Sequence, residues 1–178
     1  MARERDAGAT PLGAVEAADR TTSPAPPAHG RLQAYVLAGQ VHVSAEPTAI
    51  STILGSCVAV CLFDLEARVG GLNHYLLPNH HERERSARFG NVAIEALLAS
   101  VLAHGAQRPR LQAKVFGGAS TVTGADGTRR GPGDENVKLA LRVLQELSIP
   151  VVDGDVGGSR GRKLVFHTDD GSAWVRLL

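Results

Sequence analysis

Apolar residues recur with a spacing of two, or in short unbroken runs, through the first half of the chain after residue 31. Leu32 to Val43 is a β-rich run broken by Gly39-Gln40, which predicts a strand pair or one bent strand. Ser51 to Leu54 predicts a short strand, and the apolar run Cys57 to Phe63 is long enough for a buried strand. Val69 to Leu77 predicts the next strand, which Pro78 ends because proline cannot donate to a ladder.

Helical spacing appears twice in the second half. The first helix carries its apolar stripe on Ile94, Leu97, Leu98, Val101 and Leu102 and ends at His104-Gly105. After a strand from Leu111 to Phe116, a second helix runs from about Asp134 to Leu147, and Pro150 follows it. Its inward positions are Val137, Leu141, Leu144 and Leu147.

Three β segments close the chain: Val151 to Val156, Lys163 to His167 and Ala173 to Leu177. The order of elements is therefore β-rich, helix, strand, helix, β-rich. This order predicts an α/β layered sandwich of mixed β-sheets with two main helices packed on a face, rather than a doubly wound sheet.

Composition sets the outer limits of this fold. The 178 residues, 43% of them hydrophobic, fit one globular domain, which we expect over residues 32–178. Residues 1–31 are rich in Ala, Thr, Pro and balanced charges, and we expect a disordered tail there.

Charge and apolar-run length exclude several partners. With 19 basic and 18 acidic residues, the net charge of +1 argues against nucleic acid and anionic lipid. No run approaches the roughly 20 apolar residues of a membrane span, so we expect no membrane insertion and a cytoplasmic protein. Two cysteines are too few for a disulfide framework, which leaves both as thiols.

The candidate chemistry lies in the strands around Cys57 and His74. If Asp64 to Ala67 closes an antiparallel hairpin in which Phe63 faces Arg68, then Cys57 lies directly opposite His74. Directly opposite side chains have Cβ atoms about 4.5–5.5 Å apart, so sulfur and imidazole could meet. A one-residue bulge would change this register.

Such a pair suits acyl transfer from an amide. A neighbouring imidazolium would stabilise the Cys57 thiolate, which attacks the carbonyl, and His74 would then protonate the departing ammonia. Backbone N–H groups at Gly55-Ser56-Cys57 would stabilise the oxyanion, glycine giving both a tight backbone and close approach. The hydroxyls of Ser51 and Thr52 are the candidates for orienting the base.

Simpler interpretations compete with this one. Cysteine is often buried, and His74 beside Leu72 and Leu76 could be a core residue. Cys61, about 13 Å along the strand from Cys57, is too distant for a disulfide and is expected in the core. His74, His80 and His81 lack the ligand pattern of a zinc site, so we expect no metal and no other cofactor.

A family resemblance favours the catalytic interpretation. Leu54 to Asp64, together with Gly70 to Pro78, resembles the signature of the CheD family of bacterial chemoreceptor glutamine deamidases. Further family blocks occur in the right order at Ala113 to Ser120, Gly133 to Val137 and Asp155 to Arg162. Together they cover about residues 33–178. Glu135 departs from the pattern, since a basic residue is often expected before the asparagine.

The resemblance implies hydrolysis of glutamine side-chain amides on the cytoplasmic helices of chemoreceptors, which yields glutamates that can be methylated. Cys57 would be the nucleophile, His74 the base and acid, and Thr52 the third catalytic residue, with Ser51 as the alternative. It also implies a three-layer architecture, like that of toxins that deamidate glutamine, and binding to a CheC-type phosphatase. Four other activities stay open: a non-enzymatic adaptor that binds receptors or CheC, a redox-sensing thiol, methyl-ester hydrolysis and transamidation.

Overall fold

The computed structural model describes residues 30–79, 86–120 and 131–178. The tail predicted for residues 1–31 lies almost wholly outside them. In the described part, the strands are β1 Leu32–Tyr35, β2 Gln40–Ser44, β3 Thr48–Leu54, β4 Val58–Asp64, β5 Val69–His74, β6 Gln112–Gly117, β7 Val151–Val156, β8 Arg162–His167 and β9 Ala173–Leu177. The α-helices are α1 Gly90–Ala103 and α2 Pro132–Glu146, and a short 3-10 helix spans Arg108–Arg110.

The strands form two mixed sheets. One has four strands in the order β1-β3-β8-β9, and the other has five in the order β2-β5-β4-β6-β7. Parallel pairing occurs once in each sheet, between β1 and β3 and between β6 and β7. The predicted pair Leu32 to Val43 is therefore two strands that lie in different sheets and do not pair with each other.

Strand β4 lies at the centre of the molecule, and all seven of its residues are buried. Val58, Val60 and Leu62 face the helices, whereas Cys61 and Phe63 face the four-stranded sheet. A strand covered on both faces needs apolar residues at every position, which explains its continuous hydrophobic run. Cys61 is fully buried between the sheets, as predicted.

Both helices pack on the outer face of the five-stranded sheet, which completes the three layers. The stripe predicted on α1 is confirmed, with Ile94, Leu97 and Val101 fully buried. On α2 the buried line runs through Asn136, Leu139, Ala140 and Leu144, which confirms the predicted Leu144, while the predicted Val137, Leu141 and Leu147 are only partly buried beside it. The predicted class, an α/β layered sandwich with two main helices, is confirmed. No helix among the described residues is long and apolar enough to cross a membrane.

Candidate active site

Cys57 lies in the short connection between β3 and β4, directly before the first residue of β4, the central strand of the five-stranded sheet. It is a free, half-buried cysteine. Its cavity has a volume of ≈ 460 Å³ and is lined by Ser56, Cys57, Leu76, Leu77, Arg88, Phe89 and Pro132. The surface of the cavity is mainly apolar, and Arg88 is the one charged residue among those that line it. A half-buried thiol in such a cavity is accessible to an extended side chain.

The hairpin that brings Cys57 near His74 has a different register from the predicted one. Phe63 pairs with Gly70 rather than Arg68, and Val58 bridges Tyr75. Cys57 is therefore not directly opposite His74, and that prediction is wrong. Arg68 lies in the turn with a positive φ of 55°, and residues 65–68 connect the last paired residues, Asp64 and Val69.

A shift of two residues keeps every side chain on its original face of the sheet, because strand side chains alternate. Cys57 and His74 therefore still share the face toward the four-stranded sheet, as diagonal neighbours. Diagonal positions are about 7–8 Å apart, a gap that long side chains bridge.

Regular pairing between β4 and β5 is also interrupted beside His74. The Val60 N–H donates to the side-chain oxygen of Asn73 at 2.9 Å, instead of to a backbone carbonyl. This interruption of the backbone hydrogen bonds lies between the Val58–Tyr75 bridge and the regular ladder, which starts at the Cys61–Leu72 pair.

Thr52 determines which nitrogen of His74 carries the proton. The Thr52 hydroxyl lies 2.7 Å from the Val36 carbonyl oxygen and 2.9 Å from His74 Nδ1. A carbonyl can only accept, so the single hydroxyl proton goes to Val36 and the hydroxyl oxygen accepts from Nδ1–H. His74 is thus the Nδ1-protonated tautomer, and its lone pair is on Nε2, the atom that a general base needs.

His74 Nε2 is buried and has no hydrogen-bond partner among the described residues. Buried polar groups are nearly always satisfied, so an orphan atom in a native structure calls for a functional explanation. A base that awaits a proton from a nucleophile is one such explanation.

Ser51, the alternative third residue, has a different environment. It is the neighbour of Thr52 on β3, so its side chain points to the opposite face of the sheet. Its hydroxyl donates to the Ala34 carbonyl at 3.4 Å. The structure therefore brings Thr52, and not Ser51, to His74.

Burial moves both titrating groups toward their neutral forms. It raises the pKa of the Cys57 thiol, a shift that only the residue's own backbone N–H opposes. It lowers the pKa of the His74 imidazole, and the Val36 carbonyl offsets part of that shift. The expected thiolate–imidazolium pair is thus not the favoured state of the free site. A thiol beside a neutral imidazole is favoured instead, and the proton must move during attack.

The connection that carries Cys57 is fixed through three successive carbonyls. Gly55 O accepts from Ala119 N–H at 2.8 Å, and Cys57 O accepts from Gly118 N–H at 2.8 Å. Ser56 O accepts from the side-chain amide of Asn136 at 3.0 Å. Within the described residues, neither the Ser56 nor the Cys57 N–H donates to another residue's backbone. The absence of a backbone acceptor for either N–H in this part of the chain is compatible with the predicted oxyanion site.

Gly55 lies in the bend that precedes Cys57, but its conformation does not require glycine. Its φ lies outside the left-handed region, and a Cβ there would meet no atom within 4 Å. The glycine that this site requires is Gly117, whose φ is +107° and whose added Cβ would clash with the Cys57 carbonyl oxygen. The open space at Gly55 is compatible with close approach of a substrate.

Comparison with known proteins identifies the family. The family model "CheD chemotactic sensory transduction" matches residues 76–177, more than half of the chain. A protein of Anaeromyxobacter dehalogenans named "Probable chemoreceptor glutamine deamidase CheD 1" is 61% identical over 98% of this chain and 99% of its own length. Proteins named "Probable chemoreceptor glutamine deamidase CheD" are 38% identical in Sulfurimonas denitrificans, over 81% of this chain and 93% of that one, and 43% in Trichlorobacter lovleyi, over 77% and 85%.

The chain belongs to the CheD family. The family model begins at Leu76, after the candidate catalytic residues, but the Anaeromyxobacter protein aligns over 174 residues and so extends across β3, β4 and β5. A crystal structure of a Neisseria meningitidis DUF152 protein aligns with a TM-score of 0.44 and 13% identity, over 84% of this chain and 76% of that chain. That likeness is too weak to support a conclusion.

Two site features of this CheD chain were not assigned from the sequence. One is the Val36 carbonyl, a backbone atom for which the residue type gives no signal. The other is Asn136, whose Nδ2 also donates to the Leu76 carbonyl at 2.8 Å. Its signal was present in the family block Gly133 to Val137. Glu135, the departure within that block, pairs with Lys138 at 2.8 Å on the exposed side of α2.

Proposed function

We propose that this chain is a chemoreceptor glutamine deamidase, which converts selected glutamine side chains of chemoreceptors to glutamate. The observation that carries the proposal is the Thr52–His74 hydrogen bond, which leaves an unprotonated Nε2, without a partner among the described residues, on the face that Cys57 shares. The names of relatives up to 61% identical supply the substrate class.

The first half of the reaction transfers the acyl group to sulfur. His74 Nε2 takes the thiol proton while Cys57 Sγ bonds to the amide carbon, and the carbonyl oxygen becomes an oxyanion. The N–H groups of Ser56 and Cys57 would donate to that oxyanion. Collapse of the intermediate breaks the C–N bond, the imidazolium returns its proton to nitrogen, and ammonia leaves behind a thioester.

The second half regenerates the thiol. His74 Nε2 takes a proton from water as the water oxygen attacks the thioester carbon. The C–S bond then breaks, the sulfur recovers a proton from the imidazolium, and glutamate is released. Thr52 acts on both halves by holding His74 in one tautomer and orientation.

The cavity at Cys57 suits a side chain that enters end-on from a helix. Its apolar walls, which include Leu76, Leu77 and Phe89, would contact the methylenes of glutamine. We infer a cytoplasmic location for this activity, since the expected substrate is the cytoplasmic helical part of a receptor.

The test is mass spectrometry of a purified receptor cytoplasmic fragment that carries glutamine at its modified sites. Each conversion adds about one dalton, because an NH₂ group is replaced by OH in the covalent route. Wild-type protein should convert the fragment, and Cys57→Ala should not. The matched control is Cys61→Ser, a change at the fully buried cysteine, which should retain the catalytic groups. An unchanged fragment mass with wild-type protein, or persistent conversion by Cys57→Ala, contradicts the proposal.

An adaptor role toward a CheC-type phosphatase is a separate proposal with a separate outcome. If binding alone carries the biological effect, Cys57→Ala will complement a chemotaxis defect as well as wild type does. If deamidation carries it, the variant will not complement although it still binds its partner.

A further inference from the structure

Asn136, on the first turns of α2, holds both halves of the candidate active site with one side chain. It is fully buried, and its Nδ2 donates to Ser56 O at 3.0 Å and to Leu76 O at 2.8 Å. Ser56 directly precedes Cys57, and Leu76 follows His74 by two residues. Among the described residues, no other side chain is hydrogen-bonded to both segments.

The bond to Ser56 fixes the orientation of one peptide group. The Ser56 carbonyl and the Cys57 N–H belong to the same planar trans unit, so they point in opposite directions. A donor on the carbonyl side therefore directs the Cys57 N–H away from the Asn136 side chain. A hydrogen bond to the carbonyl also polarises the peptide and makes its N–H a stronger donor.

The three carbonyl contacts of this connection are not equivalent. Ala119 and Gly118 donate from their backbones to Gly55 and Cys57, so only a substitution by proline would remove those bonds directly. The contact at Ser56 is the one made by a side chain. Of these three contacts, the one at the Ser56–Cys57 peptide is therefore the one that depends on the side chain at residue 136.

A structural explanation of Asn136 is incomplete, because its Oδ1 is buried without a partner among the described residues. Leaving a buried acceptor unsatisfied costs stability. Departures from polar satisfaction are expected where function, rather than stability, dictates the residue.

We propose that Asn136 is a positioning residue that orients the Cys57 N–H as an oxyanion donor. This inference rests on the proposed acyl-transfer function of Cys57. Loss of an oxyanion donor typically lowers kcat by about 10²–10³. Asn136 acts through that donor, so Asn136→Ala should lower kcat by about 10- to 100-fold with little change in KM.

Three reactions of Cys57 separate this role from a general loss of structure. Receptor deamidation and acylation by p-nitrophenyl acetate both pass through an oxyanion. Alkylation by iodoacetamide displaces iodide at a saturated carbon and forms none. In Asn136→Ala the first two rates should fall together, whereas alkylation across pH 6–9 should stay within about twofold of wild type, since the thiol and His74 are retained. If Asn136→Ala does not fold, the same three rates are measured in Asn136→Ser, which keeps one hydrogen-bond donor.

Tyr75→Phe is the matched control. The Tyr75 hydroxyl donates to the backbone carbonyl of Asn136 at 2.6 Å, so this change loosens the same turn of α2 but leaves the amide in place. It should leave the ratio of acylation to alkylation unchanged. Equal falls in alkylation and acylation, or an unchanged acylation rate in the Asn136 variants, would overturn the inference. Failure of the wild-type protein to deamidate receptor, with normal acylation by the ester, would overturn the proposed function alone.

Discussion

Replacing Thr52 by valine tests the tautomer argument most directly. Valine keeps the shape of threonine but replaces its hydroxyl by a methyl group, so two contacts disappear together. His74 Nδ1 loses the oxygen at 2.9 Å that accepts its proton, and the Val36 carbonyl loses its donor at 2.7 Å. Because Thr52 is fully buried, water cannot easily replace either contact.

The size of the effect follows from the charge on His74 during attack. Once Nε2 takes the thiol proton, Nδ1–H belongs to an imidazolium, and a hydrogen bond to a charged group contributes about 1.5–3 kcal/mol. Each 1.36 kcal/mol corresponds to a factor of ten in rate, so kcat should fall by about 10- to 150-fold. The unpaired Val36 carbonyl should in addition lower the free energy of unfolding by about 1–3 kcal/mol.

The assay is the initial rate of receptor deamidation at saturating substrate, followed by mass spectrometry. Thr52→Ser keeps a hydroxyl and should stay within about fivefold of wild type. Ser51→Ala removes the neighbouring hydroxyl on the opposite face and should also remain active. A Thr52→Val variant that is folded and as fast as wild type would refute the reasoning, and so would a loss in Ser51→Ala as large as that in Thr52→Val.

Three further outcomes follow from the same geometry. The rate of alkylation of Cys57 by iodoacetamide should rise steadily from pH 7 to beyond pH 9, because burial raises the pKa of the thiol. A rate that reaches its plateau below pH 7 would instead indicate a preformed thiolate and contradict the prediction. Gly117→Ala should lower the free energy of unfolding by about 2 kcal/mol or more, measured by urea titration, because its Cβ would clash with the Cys57 carbonyl oxygen, while Gly55→Ala should change it little; equal effects of the two substitutions would contradict this reasoning. The free energy of unfolding should fall as the pH drops below about 6.5, because burial lowers the pKa of His74 and His167 in the folded state, so that the unfolded chain binds more protons. A midpoint of denaturation that does not change between pH 7 and pH 5 would contradict this expected loss of stability.

The fold class could be predicted from the sequence because several of its elements have clear patterns of apolar residues. The α1 stripe and the unbroken apolar run of β4 each reflect one dominant burial pattern. The pairing between strands was harder to predict from the sequence. β1 and β2 are adjacent in sequence but enter different sheets, and nothing local in Gly39-Gln40 distinguishes a hairpin from a crossover between layers.

The register of the β4–β5 hairpin shows why part of the site could not be derived. Register depends on the turn, and the turn that contains Arg68 has a φ of 55° at a residue type that rarely adopts it. The shared face of Cys57 and His74 could nevertheless be anticipated, since alternation fixes faces under any shift of two. The contact of Asn136 with the site could not be derived from local sequence. Its side chain comes from a helix distant along the chain and reaches the site only because the sandwich packs α2 against β4.

Three buried polar atoms without partners among the described residues lie in or beside the site: Asn73 Nδ2, His74 Nε2 and Asn136 Oδ1. In each of these three side chains, the other polar atom makes a hydrogen bond to a neighbouring group of the site. Asn73 replaces a missing ladder bond at Val60, Thr52 fixes the tautomer of His74, and Asn136 orients the peptide before Cys57. An apolar core at these positions would avoid the desolvation penalties but could not perform those tasks. We interpret these unsatisfied atoms as stability given up to hold the proposed base, His74 Nε2, and the proposed oxyanion donor, the Cys57 N–H, in fixed directions.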